Sequence, residues 1–402
     1  MHNSIPCQLV GTAAAKQENR PFRIRILFKS EIPAMGYHVY RLDFSKTDDP
    51  LRPEGLILTE HTMENSLVRV EFDKKTGAIR SYFDKILNRE MFKNPGALPI
   101  VLEDWDDTWG HKIKAYDKEI GCFRNPTFKT VENGPERIRL QVKSIWGDSF
   151  IVQDFSLYRE SSELECKLTV NWHEKYRVLK LSFPTVLDNG KCTYAIPYGF
   201  IERDMNGDEE PGQEWIDVSS RDENEGFGFA IINDSKCGYS VKNGDIRLTI
   251  FHSTAWCHHN PVVVTEQDAC RYMEQGIHEF KYKLIPHSGD WKQANISHQA
   301  EKFLLPPLVF HANPHEGVLP NRNGFLSTNL NNVSITVIKR AEEREGLILR
   351  CVELYGLSAR GKVELKMLNR DIRIDMSPCE IKSLFVPFDQ REKVCEVNLL
   401  EN

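Results

Sequence analysis

The sequence lacks the cysteine spacing that binds zinc or carries out thiol exchange. Ten cysteines occur among 402 residues, and no two of them form a Cys-X-X-Cys pair, the usual signature of zinc ribbons and thioredoxin-like sites. Several cysteines lie in alternating strand patterns, as Cys166 does between Leu164 and Leu168, where a thiol packs as a small apolar group. We therefore expect reduced thiols and a cytoplasmic location.

Long apolar runs and concentrated charge are also missing. No window approaches the roughly eighteen uninterrupted apolar residues that cross a bilayer, so we expect a soluble protein without a membrane partner. Residues 1–6 lack the basic start and apolar core of a secretory signal peptide. The 52 basic and 58 acidic residues leave a formal charge of −6, without a long block of one sign. Because phosphate binding needs a concentrated basic surface, nucleic acid is not an expected partner.

Helical periodicity is scarce, and strand-like alternation replaces it. The best helical pattern runs from Trp291 to Phe303, with apolar residues at Ala294, Ile296 and Ala300. Alternating apolar and polar residues recur at 22–26, 138–142, 164–170, 246–250, 333–337 and 363–367. Many such strands joined by short turns predict an all-β fold, a large antiparallel β-sandwich (a supersandwich) flanked by smaller β-domains.

The clearest local element is a hairpin that begins near Val68. Val68, Val70 and Phe72 alternate with charged residues, as in a half-buried strand. The following turn ends at Gly77, where glycine supplies the positive φ that a tight reversal needs. The second strand continues from Ile79.

The chain is predicted to contain three units. Residues 1–45 carry two or three strands of a small β-domain, and a charged, proline-containing stretch follows them. Residues 60–305 are predicted to form the large β-sandwich. Pro306 and Pro307 then break the chain, and residues 306–402 form a small C-terminal β-domain.

Several segments resemble the C-terminal β-domains of glycoside hydrolase family 38, the retaining α-mannosidases, of the bacterial and cytosolic type. These segments are residues 33–40, 64–79, 101–110, 170–175, 179–184, 231–240, 282–291 and 338–342. Each is short, and the resemblance depends on their order and number over essentially the whole chain.

The resemblance implies an enzyme that removes terminal α-linked mannose from oligosaccharides through a covalent glycosyl-enzyme. In that family the zinc ligands, the aspartate nucleophile and the acid/base carboxylate lie in an α/β catalytic domain, which nothing in residues 1–63 resembles. Residues 1–45 would then be a remnant, and we expect a fragment, a split reading frame or a deliberate truncation. On this view the chain itself has no catalytic residue and no metal site, and the isolated chain is inactive.

The implied partners are a mannose-containing oligosaccharide, the catalytic domain with its zinc, and a further copy of the chain in a homo-oligomer. Two functions of other classes stay open on the sequence. One is a non-catalytic module that binds carbohydrate, and the other is a scaffold that supports a catalytic domain.

The predicted substrate-binding residues are Gln213, Glu214 and Trp215. The resemblance places their loop, residues 207–215, where the large sandwich reaches toward the catalytic domain. A tryptophan face can stack on a pyranose ring while amides and carboxylates bind its hydroxyls. The alternative is that Trp215 starts a strand and packs in the core, and the sequence does not decide between the two.

Three further groups of residues suggest chemistry but favour structural roles. The acidic clusters Asp208-Glu209-Glu210 and Asp104/Asp106/Asp107 are predicted to lie in solvated loops. His252, His258, His259 and His278, with Cys257 and Cys270, lack the spacing of a metal motif and are predicted to be hydrogen-bonded loop residues. Trp105, Trp109 and Trp172 are predicted to pack, with a sugar platform as the alternative.

Overall fold

Strands make up nearly all of the regular structure. The computed structural model describes residues 5–13, 23–43, 55–105, 108–110, 113–222, 226–256, 271–313 and 315–402. The first eight strands are β1 Cys7–Ala13, β2 Arg23–Phe28, β3 Gly36–His38, β4 Ile57–Leu58, β5 Thr62–Glu64, β6 Val68–Phe72, β7 Ile79–Asp84 and β8 Arg89–Glu90.

Fifteen longer or more central strands follow. They are β9 Leu98–Glu103, β10 Glu119–Cys122, β11 Arg124–Asn133, β12 Arg137–Trp146, β13 Ser149–Tyr158, β14 Leu164–Trp172, β15 Arg177–Pro184, β16 Lys191–Ile196, β17 Gly199–Arg203, β18 Glu210–Pro211, β19 Trp215–Ser219, β20 Phe227–Asn233, β21 Gly238–Lys242, β22 Asp245–His252 and β23 Gly276–Ser288.

The rest of the chain contains one α-helix, one 3₁₀ turn and eight strands among the described residues. They are α1 Ile296–Leu304, β24 Arg322–Gly324, β25 Leu326–Thr328, β26 Val333–Arg340, β27 Gly346–Glu353, β28 Ala359–Leu365, the 3₁₀ turn Lys366–Leu368, β29 Arg370–Met376, β30 Ile381–Pro387 and β31 Cys395–Val397.

Two sheets contain most of the central strands. The smaller has six strands in the order β10-β9-β15-β22-β21-β18, and the larger has nine in the order β11-β12-β13-β14-β23-β20-β19-β16-β17. Neighbouring strands are antiparallel, as where β14 pairs with β23 from Leu164 opposite Leu284 to Trp172 opposite Gly276. Smaller antiparallel sheets are formed by β4 to β8, by β26-β27-β30-β31, by β25-β28-β29, by β24-β3 and by β1-β2.

A continuous apolar core lies between the two large sheets. Phe183 of β15 is 5.8 Å from Tyr282 of β23, and Trp172 of β14 is 5.2 Å from Phe251 of β22, measured between ring centroids. Each contact joins the six-stranded sheet to the nine-stranded sheet, so the two sheets pack face to face. The predicted fold class, an all-β protein with a large antiparallel sandwich and smaller β-sheets, is confirmed.

The hairpin predicted near Val68 is formed by β6 and β7. Val68, Val70 and Phe72 are buried, and β6 pairs with β7 across a tight turn. In the turn, the Asp73 carboxylate accepts the backbone N–H of Thr76 at 2.8 Å, and Gly77 adopts φ 78°. Asp73 therefore stabilises the turn by an Asx-type hydrogen bond, and Gly77 supplies the left-handed backbone.

The predicted helix exists but begins later than expected. We expected it from Trp291 to Phe303, and α1 spans Ile296–Leu304. Before it, the Asp290 carboxylate accepts the backbone N–H of Gln293 at 2.9 Å, and Asn295 adopts φ 53°. This local hydrogen bond competes with helix formation and holds a turn instead. Across the described ranges no helix is long and apolar enough to cross a membrane.

The chain divides into two compact units, each with its own core. The first comprises residues 1–29, 50–195 and 202–306, and the second comprises residues 30–49, 196–201 and 307–402. In the second unit Leu349, Val363 and Val386 are among the buried residues that form the core. The three-part division expected from the sequence stays a prediction.

Gly77→Ala should destabilise the first unit because the new methyl group has neither space nor a suitable backbone. A Cβ at this position would lie 2.6 Å from Cγ1 of Val142 and 3.0 Å from Cβ of Pro126. The positive φ alone costs about 1 kcal/mol, and overpacking adds roughly 1–3 kcal/mol. Urea unfolding should therefore show a loss of about 2–4 kcal/mol.

Gly110→Ala is the matched control, since Gly110 has φ 58° and a Cβ there would meet nothing within 4 Å. Its loss should be limited to about 1 kcal/mol. All seven tryptophans lie in the first unit, so tryptophan fluorescence follows the unfolding of that unit. Equal losses in the two variants would show that the turn is not packed as described.

Candidate functional site

The segment that contains the predicted substrate-binding residues is held between neighbouring strands. The backbone N–H of Gly212 donates to the carbonyl of Cys237, and that of Gln213 donates to the carbonyl of Ala195, each at 2.9 Å. The carbonyl of Glu214 accepts the N–H of Asn233, also at 2.9 Å. These bonds fix the backbone of residues 212–214 before β19 begins.

Trp215 is the first residue of β19, and its side chain is buried with 3% exposed. Its ring lies 4.9 Å from the ring of Trp291 at an angle of 36°. The sequence left Trp215 either a substrate-facing role or a role in the core. An indole that is 3% exposed can stack on a sugar only after the residues around it rearrange. Gln213 and Glu214 are exposed, so the three side chains do not share one accessible surface. Their substrate-binding role stays a prediction.

Glu214 is the titratable member of this set. Desolvation by its surroundings and the neighbouring Glu301 carboxylate raise the pKa of Glu214. A raised carboxyl pKa is a feature of general acids. The direction of this shift by itself assigns no catalytic role to Glu214.

A buried lysine and an adjacent carboxylate form a polar centre that the sequence analysis missed. Lys180 of β15 is 0% exposed, and its Nζ contacts the carboxylate of Glu209 and lies 2.9 Å from Oγ of Ser240. The Thr249 hydroxyl also donates to Glu209. Burial lowers the pKa of Lys180, and the Glu209 charge opposes this shift. The expectation that Glu209 lies in a solvated loop is therefore wrong.

Asp104 departs from the sequence expectation in the same way. Its side chain is buried, and Oδ2 lies 3.2 Å from Nδ1 of His252, so Asp104 is not a solvated loop residue. Asp106 and Asp107 lie outside the described residues. His252 and His278 are hydrogen-bonded, as predicted, but they are not loop residues, because His252 ends β22 and His278 lies within β23.

The other candidates for a metal site are only partly within the described chain. His278 Nε2 lies 2.9 Å from the backbone carbonyl of Glu274. Residues 257–270, which include His258, His259 and two of the cysteines, lie outside the described residues. In the ranges that the structure describes, no group of three or more His, Cys, Asp or Glu side chains could hold a metal ion. The described residues therefore do not fit a zinc site.

The three tryptophans predicted to pack behave differently from one another. Trp172 is fully buried, as predicted, whereas Trp105 is 66% exposed and Trp109 is 62% exposed. The prediction is wrong for these two because both follow the end of β9, in a connection that leaves the sheet.

A second buried polar pair joins β19 to β23. Asp217 is 0% exposed, and its Oδ2 lies 2.7 Å from Nε2 of His287, while the Ser219 hydroxyl donates to its other oxygen. His287 also lines a surface cavity of about 700 Å³, together with Asp84 and Glu163. The hydroxyl of Ser219 bonds to the aspartate and not to the imidazole, so the three residues do not form a nucleophilic relay of the Ser-His-Asp type. The pair is structural.

Stability should depend on pH through His287. Burial by itself lowers the pKa of His287, but the charge and hydrogen bond of Asp217 outweigh burial and raise this pKa above its usual value of 6.5. Since the folded-state pKa is the higher one, the contribution to stability is complete below about pH 6.5 and is lost as pH rises through the folded value.

The free energy of unfolding, followed by tryptophan fluorescence in urea, should therefore fall on the alkaline side of pH 6.5. Asp217→Asn should remove this dependence, whereas His173→Gln at an exposed position should leave it unchanged. A dependence that persists in Asp217→Asn would assign it to other groups.

Trp215→Ala tests the core role of this residue. Removing a buried aromatic side chain costs about 3–5 kcal/mol, and urea unfolding of the first unit should show a loss of this size. Trp109→Ala, the same replacement at an exposed position, should change stability by less than about 0.5 kcal/mol. A near-neutral Trp215→Ala would instead favour the substrate-facing role.

Two family models match the chain in sequence order. The model described as "Glycosyl hydrolases family 38 C-terminal domain" matches residues 63–260. The model described as "Glycosyl hydrolases family 38 C-terminal beta sandwich domain" matches residues 332–402. The two matches are separate and together account for most of the chain.

Curated relatives are named as α-mannosidases. Alpha-mannosidase G of Dictyostelium discoideum is 28% identical over 303 residues, which are 70% of this chain and 26% of the relative. Alpha-mannosidase 2C1 of Mus musculus is 27% identical over 352 residues, which are 81% of this chain and 32% of the relative. The chain thus spans about a quarter to a third of the length of these relatives.

Solved structures share the fold over nearly the entire chain. A glycosyl hydrolase family 38 protein from Enterococcus faecalis matches 96% of this chain and 51% of its own, with a TM-score of 0.73 and 16% identity. An α-mannosidase from Enterococcus faecalis V583 matches with a TM-score of 0.72. With the two family models matched in sequence order, the chain belongs to glycoside hydrolase family 38 and corresponds to the C-terminal region of its α-mannosidases.

Proposed function

We propose that this chain supplies the C-terminal β part of a retaining α-mannosidase that hydrolyses terminal α-linked mannose from oligosaccharides. The observation that carries the proposal is the match of two C-terminal family models, in order, to residues 63–260 and 332–402. The α-mannosidase names of the curated relatives support the choice of substrate.

The proposed chemistry requires two carboxyl groups in a defined arrangement. Retaining hydrolysis uses two carboxyl groups about 5–5.5 Å apart, one as nucleophile and one as acid/base. In the two acidic clusters, Asp104 is paired with His252 and Glu209 is paired with Lys180. In the proposal, the nucleophile and the zinc belong to an α/β catalytic domain outside this sequence, which is the partner of the β unit.

The β unit then contributes rigidity and substrate contacts next to that domain. Gln213 and Glu214 are exposed on a backbone fixed by hydrogen bonds, which suits residues that orient a substrate hydroxyl. The proposed location is cytoplasmic, in keeping with the eight described cysteines, all of which are free. A homo-oligomer of the complete enzyme is also part of the proposal.

The purified chain alone should release no nitrophenol from p-nitrophenyl α-mannoside, with or without added zinc. Mixing it with a separately produced family 38 catalytic domain should give zinc-dependent release, because the two parts together supply the carboxylates and the substrate contacts. p-Nitrophenyl α-glucoside is the substrate control. Release by the chain alone, in proportion to its concentration, would contradict the assignment of catalysis to the other domain.

The same mixture separates the proposal from its alternatives. If the two parts associate and the catalytic domain is equally active without the chain, the chain is a scaffold. If the chain binds mannosides but never associates with the catalytic domain, it is a carbohydrate-binding module.

A further inference from the structure

The position of Trp105 is not explained by the packing of the sandwich. Its side chain is 66% exposed, although it comes directly after β9, in which residues 99–102 are buried. Burying a tryptophan removes roughly 150–250 Å² of surface from water, so leaving it exposed forgoes a large favourable contribution to stability. A single exposed apolar residue is ordinary. An exposed aromatic ring that is held in one orientation, however, is suited to binding a ligand.

The ring of Trp105 is fixed from two directions. The indole N–H donates to the carboxylate of Glu103, and the ring stacks on Tyr176 with centroids 5.3 Å apart and an angle of 26°. Tyr176 in turn meets Tyr272 edge-on, at 5.3 Å and 85°. Trp105 is thus held by a stack and a hydrogen bond, and 66% of its surface is still exposed.

The backbone of Tyr176 is strained in the conformation that supports this stack. Tyr176 has φ 54°, a left-handed geometry that bulky residues rarely adopt. Its N–H donates to the carbonyl of Ser253 at 2.8 Å, and its carbonyl accepts the N–H of Asp104 at 3.1 Å. These bonds join both sides of the strained residue to neighbouring segments. Strain of this kind concentrates at ligand-binding sites.

Charged side chains surround the ring. Lys118, 69% exposed, pairs with Glu103, and the guanidinium carbon of Arg177 lies over the Trp105 ring, 5.9 Å from its centroid. Lysine and glutamate are depleted in the cores of protein–protein interfaces, whereas arginine, tryptophan and tyrosine are enriched there. A flat aromatic face bordered by hydrogen-bonding groups matches a pyranose, which has an apolar ring face and polar hydroxyls at its edge.

We propose that Trp105, stacked on Tyr176 and close to the charged groups of Glu103, Lys118 and Arg177, binds the pyranose ring of an oligosaccharide. The aromatic face takes the C–H face of the sugar, and the charged groups bond to its hydroxyls. The choice of mannose as the sugar rests on the proposed function, while the platform itself rests on the geometry of the described residues.

Direct binding to the full chain tests the platform without requiring activity. Methyl α-mannoside and methyl β-galactoside are titrated separately, with saturation-transfer NMR of the sugar protons and tryptophan fluorescence as readouts. Saturation of methyl α-mannoside ring protons is expected. Trp105→Ala should weaken binding by about tenfold, the equivalent of roughly 1.4 kcal/mol, and Trp105→Tyr should retain most of it because an aromatic face remains.

Trp109→Ala is the matched control, an exposed tryptophan of the same connection, and should bind as the unaltered chain does. Urea unfolding checks that every variant is folded. The proposal is overturned if the folded chain binds neither sugar, or if Trp105→Ala binds as well as the unaltered chain. It is likewise overturned if Trp105→Ala changes only the capture of a family 38 catalytic domain, since the surface is then a protein interface.

The outcome is independent of the test of the proposed function. Binding of both sugars through Trp105 upholds the platform and assigns it a general pyranose preference. Preferential binding of methyl α-mannoside upholds both the platform and its sugar. Failure of the mixed parts to hydrolyse an aryl mannoside, with Trp105-dependent binding intact, overturns the enzymatic proposal alone.

Discussion

The burial of apolar surface between the six-stranded and nine-stranded sheets is the constraint on which the first unit depends. Phe183, Trp172 and their partners on the facing strands belong to one continuous cluster. β19 and β20 are buried at every position, and β15 is buried at all positions but the first. These strands have no solvent face, so each residue on them must satisfy the packing or hydrogen-bonding needs of an interior.

The polar residues on the buried strands follow from this constraint. Lys180 lies on β15 and Asp217 on β19, and an unpaired charge at either position would cost several kcal/mol. Each has an opposite charge, Glu209 for Lys180 and His287 for Asp217, and each also bonds to a serine hydroxyl. Their hydrogen bonds show why charged residues can stand in the middle of apolar strands. The arrangement holds particular strands and connections together, a specificity that apolar packing alone does not supply.

The sequence predicted features whose physical cause is local. Alternation marks one face of each strand, and the strands predicted at 138–142, 164–170 and 246–250 all lie within β12, β14 and β22. The turn at Gly77 was visible because its requirement for positive φ is local as well. The sequence predicted the ends of elements less well than their positions. The strand expected over residues 363–367 stops at Leu365, because a 3₁₀ turn follows and leads to Asn369 in a left-handed conformation.

The features that the sequence did not reveal depend on contacts between distant residues. Lys180 and Glu209 are separated by 29 residues, and Asp217 and His287 by 70, so no spacing rule identifies either pair. The run Leu179-Lys180-Leu181 does indicate a buried ion pair, because a lysine in a strand that is buried on both faces needs a counterion. Trp105 was predicted to pack, since neither the strain at Tyr176 nor the stack between the two rings is encoded in a periodic pattern.

The pairing of Lys180 with Glu209 has a consequence for the exchange of segments between homologous proteins. Glu209 lies in the connection that leads to residues 213–215, whereas Lys180 belongs to the sheet. A hybrid that receives this connection from a relative without a carboxylate at the equivalent position would leave an uncompensated ammonium group in the interior. Such a graft would need a simultaneous change of Lys180 to an apolar residue. The connection and strand β15 must therefore be exchanged together, although 29 residues separate Lys180 from Glu209 along the chain.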